Sequence, residues 1–243
     1  MENKVAIVTG ASVGIGRATA LKMAQNKAKL VLVDVNEEKL KEVEKEVTAL
    51  GAQCLSITLD VSNEKQVYSA VEKVIEKFGR VDILVNNAAL WRNFEPFIEI
   101  PFEKWEKFLQ INVMGVVYFT KAVLKGMIEN GYGRIVNVAS VAGVYGNANM
   151  SMYSATKGAV ISFTKSLAKE VAGSGVIVNA VSPGTVSPSD NLDTDYYEET
   201  DRCYRGRTGT AMENADLICF LSSEKNGYVV GQNIQIDGSR RMV

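Results

Sequence analysis

The sequence predicts an α/β fold: one domain built on an open, doubly wound parallel sheet of seven strands, with helices on both faces and right-handed crossovers. Three observations lead there. Short β-branched runs alternate with longer amphipathic ones along most of the 243 residues. The short runs are continuously apolar, as strands are when both sheet faces are covered. No linker, repeat or low-complexity stretch divides the chain, and its length suits one α/β domain.

The expected strands, in order, are "KVAIVT" (4–9), "KLVLVD" (29–34), "QCLSITLD" (53–60), "DILVNN" (82–87), "RIVNVAS" (134–140) and "VIVNAVS" (176–182), closed by one at about 228–237. Helices are expected at 15–26, 37–50, 63–77, about 102–130, about 152–172 and about 212–222. The second shows its signals most fully: Asn36 as N-cap, acids in the first turn, and Leu40, Val43, Val47 and Leu50 on one face. Asn63 followed by Glu64 opens the third in the same way. Residues 183–211 are polar and irregular, and long loops in compact domains are usually functional.

Composition narrows the function. Net charge is −1 with acids and bases interleaved, so no nucleic-acid partner is expected. The first apolar run is broken by glycines and has no basic lead, unlike a signal peptide, and no stretch is expected to span a membrane. Cys54, Cys203 and Cys219 are widely spaced and form no C-x-x-C pair. They read as reduced thiols of a cytoplasmic protein. Histidine is absent, which removes Ser-His-Asp and Cys-His machinery and the usual transition-metal ligands, so no metal site is expected. Acid/base chemistry near neutral pH then needs a perturbed Tyr, Lys, Asp, Glu or Cys.

The first strand runs straight into "TGASVGIG", placing Gly10, Ser12, Val13, Gly14, Ile15 and Gly16 between a strand and a helix. Glycines there permit a tight turn, and the helix N-terminus offers free N–H groups and a positive dipole to a pyrophosphate. The spacing G-x3-G-x-G differs from the general G-x-G-x-x-G fingerprint, so the loop alone is a weak signal. Asp34 strengthens it. This carboxylate ends the second strand, 18 residues after Gly16, where it can accept from the adenosine ribose hydroxyls. A 2′-phosphate near Asp34 would be repelled by roughly 1–4 kcal/mol, and the loop has Val13 rather than a base to compensate. NAD is therefore expected over NADP.

These residues, taken with others further on, resemble the short-chain dehydrogenase/reductase family, over almost the whole chain. "TGASVGIG" matches its cofactor loop, "LDV" with Asp60 and Val61 its adenine-contacting turn, and "NNAA" with Asn87 and Ala88 its fourth-strand motif. "INV" carries the family's helical asparagine as Asn112, and Ser140 follows the fifth strand. "YSATK" supplies Tyr153 and Lys157, and "VNAVSPG", with Pro183, Gly184 and then Val186, matches the segment beside the nicotinamide. Two positions depart from the family pattern: Ala89 stands where glycine is usual, and Pro188 where many members have a threonine that contacts the nicotinamide amide.

The resemblance implies a Rossmann-fold, NAD-dependent enzyme that interconverts a secondary alcohol and a ketone, and a homotetramer joined through the late helix and terminal strand. Tyr153 and Lys157, four residues apart, share one helix face. The Lys157 ammonium and the positive oxidised nicotinamide are expected together to favour the Tyr153 phenolate, and Lys157 to hold the nicotinamide ribose. Ser140 is expected to hydrogen-bond the substrate oxygen, and Asn112 to order a water chain from Lys157 to solvent. A 3-oxoacyl-carrier-protein reductase is the alternative, with Arg202, Arg205 and Arg207 as candidate contacts for an acidic carrier, although such reductases generally use NADPH. A non-catalytic nucleotide-binding regulator is a third reading.

The small-molecule substrate is expected to be apolar and bulky, a hydroxysteroid-like molecule being one candidate. The residues expected around the pocket are Trp91, Arg92, Phe94, Val141, Val144, Tyr145, Met150, Met152, Tyr196, Tyr197 and Tyr204. Residues 185–210 are expected to form a lid over it, whose Asp190, Asp193, Asp195, Glu198, Glu199 and Asp201 would repel a highly anionic substrate where solvent does not screen them, with Arg92 the one expected anchor for a carboxylate.

Overall fold

The computed structural model describes residues 1–91, 94–187 and 198–241. Seven strands form one sheet: β1 (Val5–Thr9), β2 (Lys29–Asp34), β3 (Cys54–Thr58), β4 (Ile83–Asn86), β5 (Gly133–Val138), β6 (Val176–Pro183) and β7 (Asn233–Ile236). Their spatial order is β3-β2-β1-β4-β5-β6-β7, and every pairing is parallel. The order reverses between β1 and β4, which leaves a crevice at the carboxyl ends of those strands.

The continuous apolar character of the strands has a direct cause. Val5 and Ile7 of β1 face one core, with Val31 and Val33 of β2. Ala6 and Val8 face the other, with Leu30 and Leu32. The first core is covered by α3 (Glu64–Phe78), α5 (Gly115–Glu129) and α7 (Ser151–Val171), through residues such as Val71, Phe119 and Leu167. The second is covered by α1 (Gly14–Gln25), α2 (Glu37–Ala49) and α8 (Ala211–Ser222), through Met23, Leu40 and Ile218. Each fully buried aliphatic side chain contributes about 1.5–3 kcal/mol relative to exposure.

Local signals explain the helix starts. Asn36 and Asn63 accept from the backbone N–H groups of Lys39 and Gln66, and Thr210 with Glu213 closes a reciprocal capping box on α8. Leu50 departs from the expected face of α2: it sits at the C-cap, 46 % exposed. The expected helix 102–130 is not one regular helix. α4 (Phe102–Leu109) passes through a π-helical turn, Gln110–Met114, into α5.

The run Phe102–Glu129 also corrects the expectation that no stretch is long and apolar enough to span a membrane: by length and composition it is. Phe119, Val123 and Met127 bury its inner face in the core under the sheet, which accounts for its hydropathy. The last strand is shorter than expected, Asn233–Ile236, although Gly231 N and the Gln232 carbonyl already bond to β6 ahead of it. All three cysteines are free, and burial pushes the Cys54 thiol up to about 11 and that of Cys219 up to about 12.

Candidate active site

The crevice is built first by the glycine loop. Gly10 and Gly14 have φ of 64° and 54°, values that glycine adopts at little cost. A Cβ on Gly16 would lie 2.0 Å from the Gly10 carbonyl oxygen, so α1 can start this close to β1 only with glycine there. At Gly14 the space a Cβ would take is open. Val13 is the N-cap of α1 and offers no side-chain acceptor, and the first turn holds no acid, so its N–H groups remain available to an anion.

Neighbouring strands fix this loop. Asp34 accepts from Ser12 N at 3.1 Å and from Asn36 N at 3.0 Å. Asn87 Nδ2 donates to the Thr9 and Gly10 carbonyls, both at 3.0 Å. The backbone N–H groups of Asn87 and Ala88 in turn donate to Thr9 Oγ1. Asp60 accepts from Ser62 and stays exposed, while Val61 is buried beside Gly115. An open cradle at Gly14, uncapped N–H groups and a ribose-height carboxylate together suit a dinucleotide. Thr9 escaped the sequence reading; its only signal was a hydroxyl at the end of an apolar strand.

Across the crevice, α7 carries Tyr153 and Lys157. Lys157 is buried, and its Nζ donates to the Val138 carbonyl at 2.7 Å, at the end of β5. Burial pulls its ammonium down to about 8. Ser140 Oγ accepts from Ala142 N at 3.1 Å, at the start of the short helix α6 (Ala142–Tyr145). The Tyr153 phenol departs from expectation. Burial pushes it above its ordinary value, the Ser140 side chain pulls it back only in part, and Lys157 Nζ stands 5.8 Å from the ring centroid. In this chain alone, lysine does not create a phenolate.

Asn112 lies in the π-helical turn, fully buried. Its Oδ1 accepts from Leu90 N at 2.8 Å, and its Nδ2 donates to the Leu90 carbonyl at 2.9 Å and to Thr156 Oγ1 at 3.1 Å. Thr156 Oγ1 donates to the Tyr153 carbonyl at 2.8 Å. Asn112 therefore ties the exit of β4 to the turn of α7 between Tyr153 and Lys157. Thr156, also missed in the sequence, is the connecting residue.

At the end of β6, the Pro183 carbonyl accepts from Val141 N, and Gly184 N donates to Ile236 O. Val186 bridges to Gly209, and Ser187 N donates to the Gly209 carbonyl at 3.0 Å. Residues 198–210 are anchored at many points. Thr208 N donates to Glu198 O, Tyr204 N to Ser239 O, Arg205 N to Gly238 O, and Arg241 N to Arg202 O. Arg207 makes a two-pronged pair with Glu213, whose carboxyl is held down at about 2 chiefly by that contact. Residues 188–197 lie outside the described residues, and with them Pro188, Asp190, Asp193, Asp195, Tyr196 and Tyr197; so does Arg92.

Several expected pocket residues are committed elsewhere. Val141, Met150 and Met152 are buried, Met152 at 1 % exposure. The Tyr145 hydroxyl donates to Gln235, and Tyr204 lies against Arg241. Trp91 and Phe94 are 45 % and 63 % exposed after β4, and Val144 is 40 % exposed.

A parallel sheet switching direction beside a glycine loop, with Ser, Tyr and Lys gathered at the end of β5, defines a nucleotide-dependent oxidoreductase class. The short chain dehydrogenase family model matches residues 4–199, and the chain belongs to that family. It is 40 % identical to the 3-oxoacyl-[acyl-carrier-protein] reductase of Thermotoga maritima over 241 residues, 98 % of each chain. It is 37 % identical to the 2-dehydro-3-deoxy-L-rhamnonate dehydrogenase (NAD(+)) of a Sphingomonas species, covering 98 % of this chain and 95 % of the relative. The crystal structure of NAD+-bound xylitol dehydrogenase superposes with a TM-score of 0.91 at 34 % identity, covering 98 % of this chain and 99 % of the other. The protein is a short-chain oxidoreductase acting on CH–OH groups with a nicotinamide dinucleotide.

Proposed function

We propose that the chain interconverts a secondary alcohol and a ketone with NAD, using Tyr153 as acid and base. The observation that carries this is the gathering of Ser140, Tyr153 and Lys157 opposite a loop tied to Asp34. The bound dinucleotide supplies a ring carbon that accepts or gives a hydride. Tyr153 takes the carbinol proton during oxidation and returns it during reduction. Ala142 N donates to Ser140 Oγ, which leaves the Ser140 hydroxyl proton to be shared between the Tyr153 oxygen and the substrate oxygen.

An ammonium has three donors, and Lys157 uses one on Val138. The other two are available to a ribose and to the phenol oxygen. Gly10, Ser12, Val13, Gly14, Ile15 and Gly16 hold the pyrophosphate, Asp60, Val61, Asn87 and Ala88 the adenosine side, and Pro183, Gly184 and Val186 the nicotinamide side. Asn112 keeps one Oδ1 lone pair for an ordered water on the proton path. Asp34 disfavours a 2′-phosphate, and the Sphingomonas relative is named for NAD.

Exposed Trp91, Phe94 and Val144 support a hydrophobic skeleton, a hydroxysteroid-like molecule included. The Thermotoga relative favours a second reading, reduction of a 3-oxoacyl thioester. Of its candidate carrier contacts, Arg207 is already paired with Glu213. A homotetramer in the cytoplasm completes the proposal, with exposed Phe220 and Tyr228 near the late helix and strand as interface residues. Kinetics with NAD and NADP on a hydroxysteroid, an aryl alcohol, a polyol and a 3-oxoacyl thioester test it. NAD-linked turnover of a secondary alcohol supports the reading; turnover of the thioester alone, with NADPH, would replace it.

A further inference from the structure

A crevice of about 230 Å³, counting its open mouth, lies beside the nicotinamide segment, lined among others by Thr185, Thr200, Arg202, Arg207, Asp237 and Arg240. We propose that it is an anion subsite that seats the carboxylate of an acidic substrate, with Arg202 and Arg240 as its cationic wall. This rests on reading the neighbouring site as an alcohol dehydrogenase.

The position argues for a substrate group. Gly184 and Thr185 follow Pro183 at the end of β6 and form one wall. Arg240 donates to Asn147 Oδ1 at 2.6 Å, and Asn147 belongs to the segment between Ser140 and Tyr153. The crevice thus adjoins the end of β6 on one side and is linked through Arg240 to the segment leading into α7 on the other. The charge argues for an anion. Arg207 is neutralised by Glu213, and Asp237, which accepts from Ser239 N, is the one carboxylate in the lining, so two further guanidinium groups face a single carboxylate. Among the described residues neither Arg202 nor Arg240 forms an ion pair; Arg240 has only the neutral Asn147 amide. The Thr185 and Thr200 hydroxyls add neutral donors, and the forked guanidinium matches a carboxylate in two-pronged geometry.

The test pairs 3-hydroxyoctanoate with its methyl ester as substrates for the whole protein with NAD. The acid is expected to have a kcat/KM about tenfold or more above the ester, the worth of one charge-assisted hydrogen bond. Arg202→Gln is expected to raise KM for the acid by about the same factor and so to erase the preference. An ester preferred over the acid, or a preference that survives the substitution, overturns the proposal. A second readout does not need turnover: phenylglyoxal modification followed by peptide mass spectrometry. Arg202 should be modified in the free protein and protected by 3-hydroxyoctanoate but not by the ester. If neither compound is oxidised, the labelling alone decides the subsite, while the dehydrogenase reading is decided separately by the wider alcohol panel. Labelling that the acid does not alter overturns it, as does an Arg202 unreactive from the start, which would mean that the chain's own groups fill the crevice.

Discussion

Lys157 Nζ bonds the carbonyl of Val138, two residues before Ser140. One contact thereby joins α7, which carries Tyr153, to the strand that ends just before Ser140. A buried ammonium held by a neutral carbonyl is costly, and its pKa of about 8 against an ordinary 10.5 states that cost.

This makes stability depend on pH with a definite sign. Below pH 8 both folded and unfolded chains hold the proton, and the folded state bears the full burial cost. Between about 8 and 10.5 the folded lysine releases its proton first, the unfolded chain binds more protons, and stability rises with pH. Urea unfolding without dinucleotide should show the wild type gaining on Lys157→Met across that window, by up to about 3 kcal/mol at 1.36 kcal/mol per unit. A pH-independent difference would contradict the burial account.

Asp34→Ala should lower the preference for NAD over NADP at least about fivefold, the equivalent of 1 kcal/mol of repulsion removed. It also frees Ser12 N and Asn36 N, so affinity for both dinucleotides should fall somewhat. Equal or better kcat/KM with NADP in the unmodified protein would refute the role given to this carboxylate.

Gly16→Ala and Gly14→Ala should separate folding from binding. The first forces a Cβ to 2.0 Å from the Gly10 oxygen and should cost stability, about 1–3 kcal/mol for overpacking. The second meets no atom within 4 Å, so only the left-handed backbone is strained, about 1–2 kcal/mol, while the Cβ fills the cradle. Calorimetric titration should therefore show NAD affinity lost in Gly14→Ala even where the protein remains folded. Unchanged affinity would move the pyrophosphate elsewhere.

Hydrogen exchange tests the lid. The amides of Tyr204, Arg205 and Arg241 are bonded across the 202–205 and 238–241 segments and should be protected from the start. Slowing on addition of NAD and substrate is expected within the proposed lid, 185–210, outside those bonded amides. No ligand-dependent change anywhere in 185–210 would remove the lid.

The sheet, most helices and the glycine loop were legible because each rests on a local pattern: continuous apolar runs, Asn caps, and glycine spacing beside a strand. The π-helical turn at Gln110–Met114 was not, because one residue of extra winding barely disturbs a helical hydrophobic period. The commitments of Asn112 were likewise hidden, since its partners are the backbone of Leu90 and a threonine 44 positions on. The bond from Arg240 to Asn147 joins two irregular segments, and no sequence period reports such a contact. Met150 and Met152 were read as pocket lining from their neighbourhood to Tyr153. Both are buried, Met150 at the N-cap of α7 and Met152 in its first turn.

The central claim is that Tyr153 moves the substrate proton, and Tyr153→Phe tests it most directly. The substitution keeps the ring and removes one oxygen, so the packing of α7 and the contact of Lys157 with Val138 should persist. Steady-state turnover of a secondary alcohol and calorimetric NAD affinity should be measured on the same preparation. The account predicts that kcat falls by about 10²–10⁴, the range for a lost general acid or base, while the NAD dissociation constant changes by less than about twofold. A variant that keeps more than about a tenth of wild-type kcat would show that the proton comes from another group.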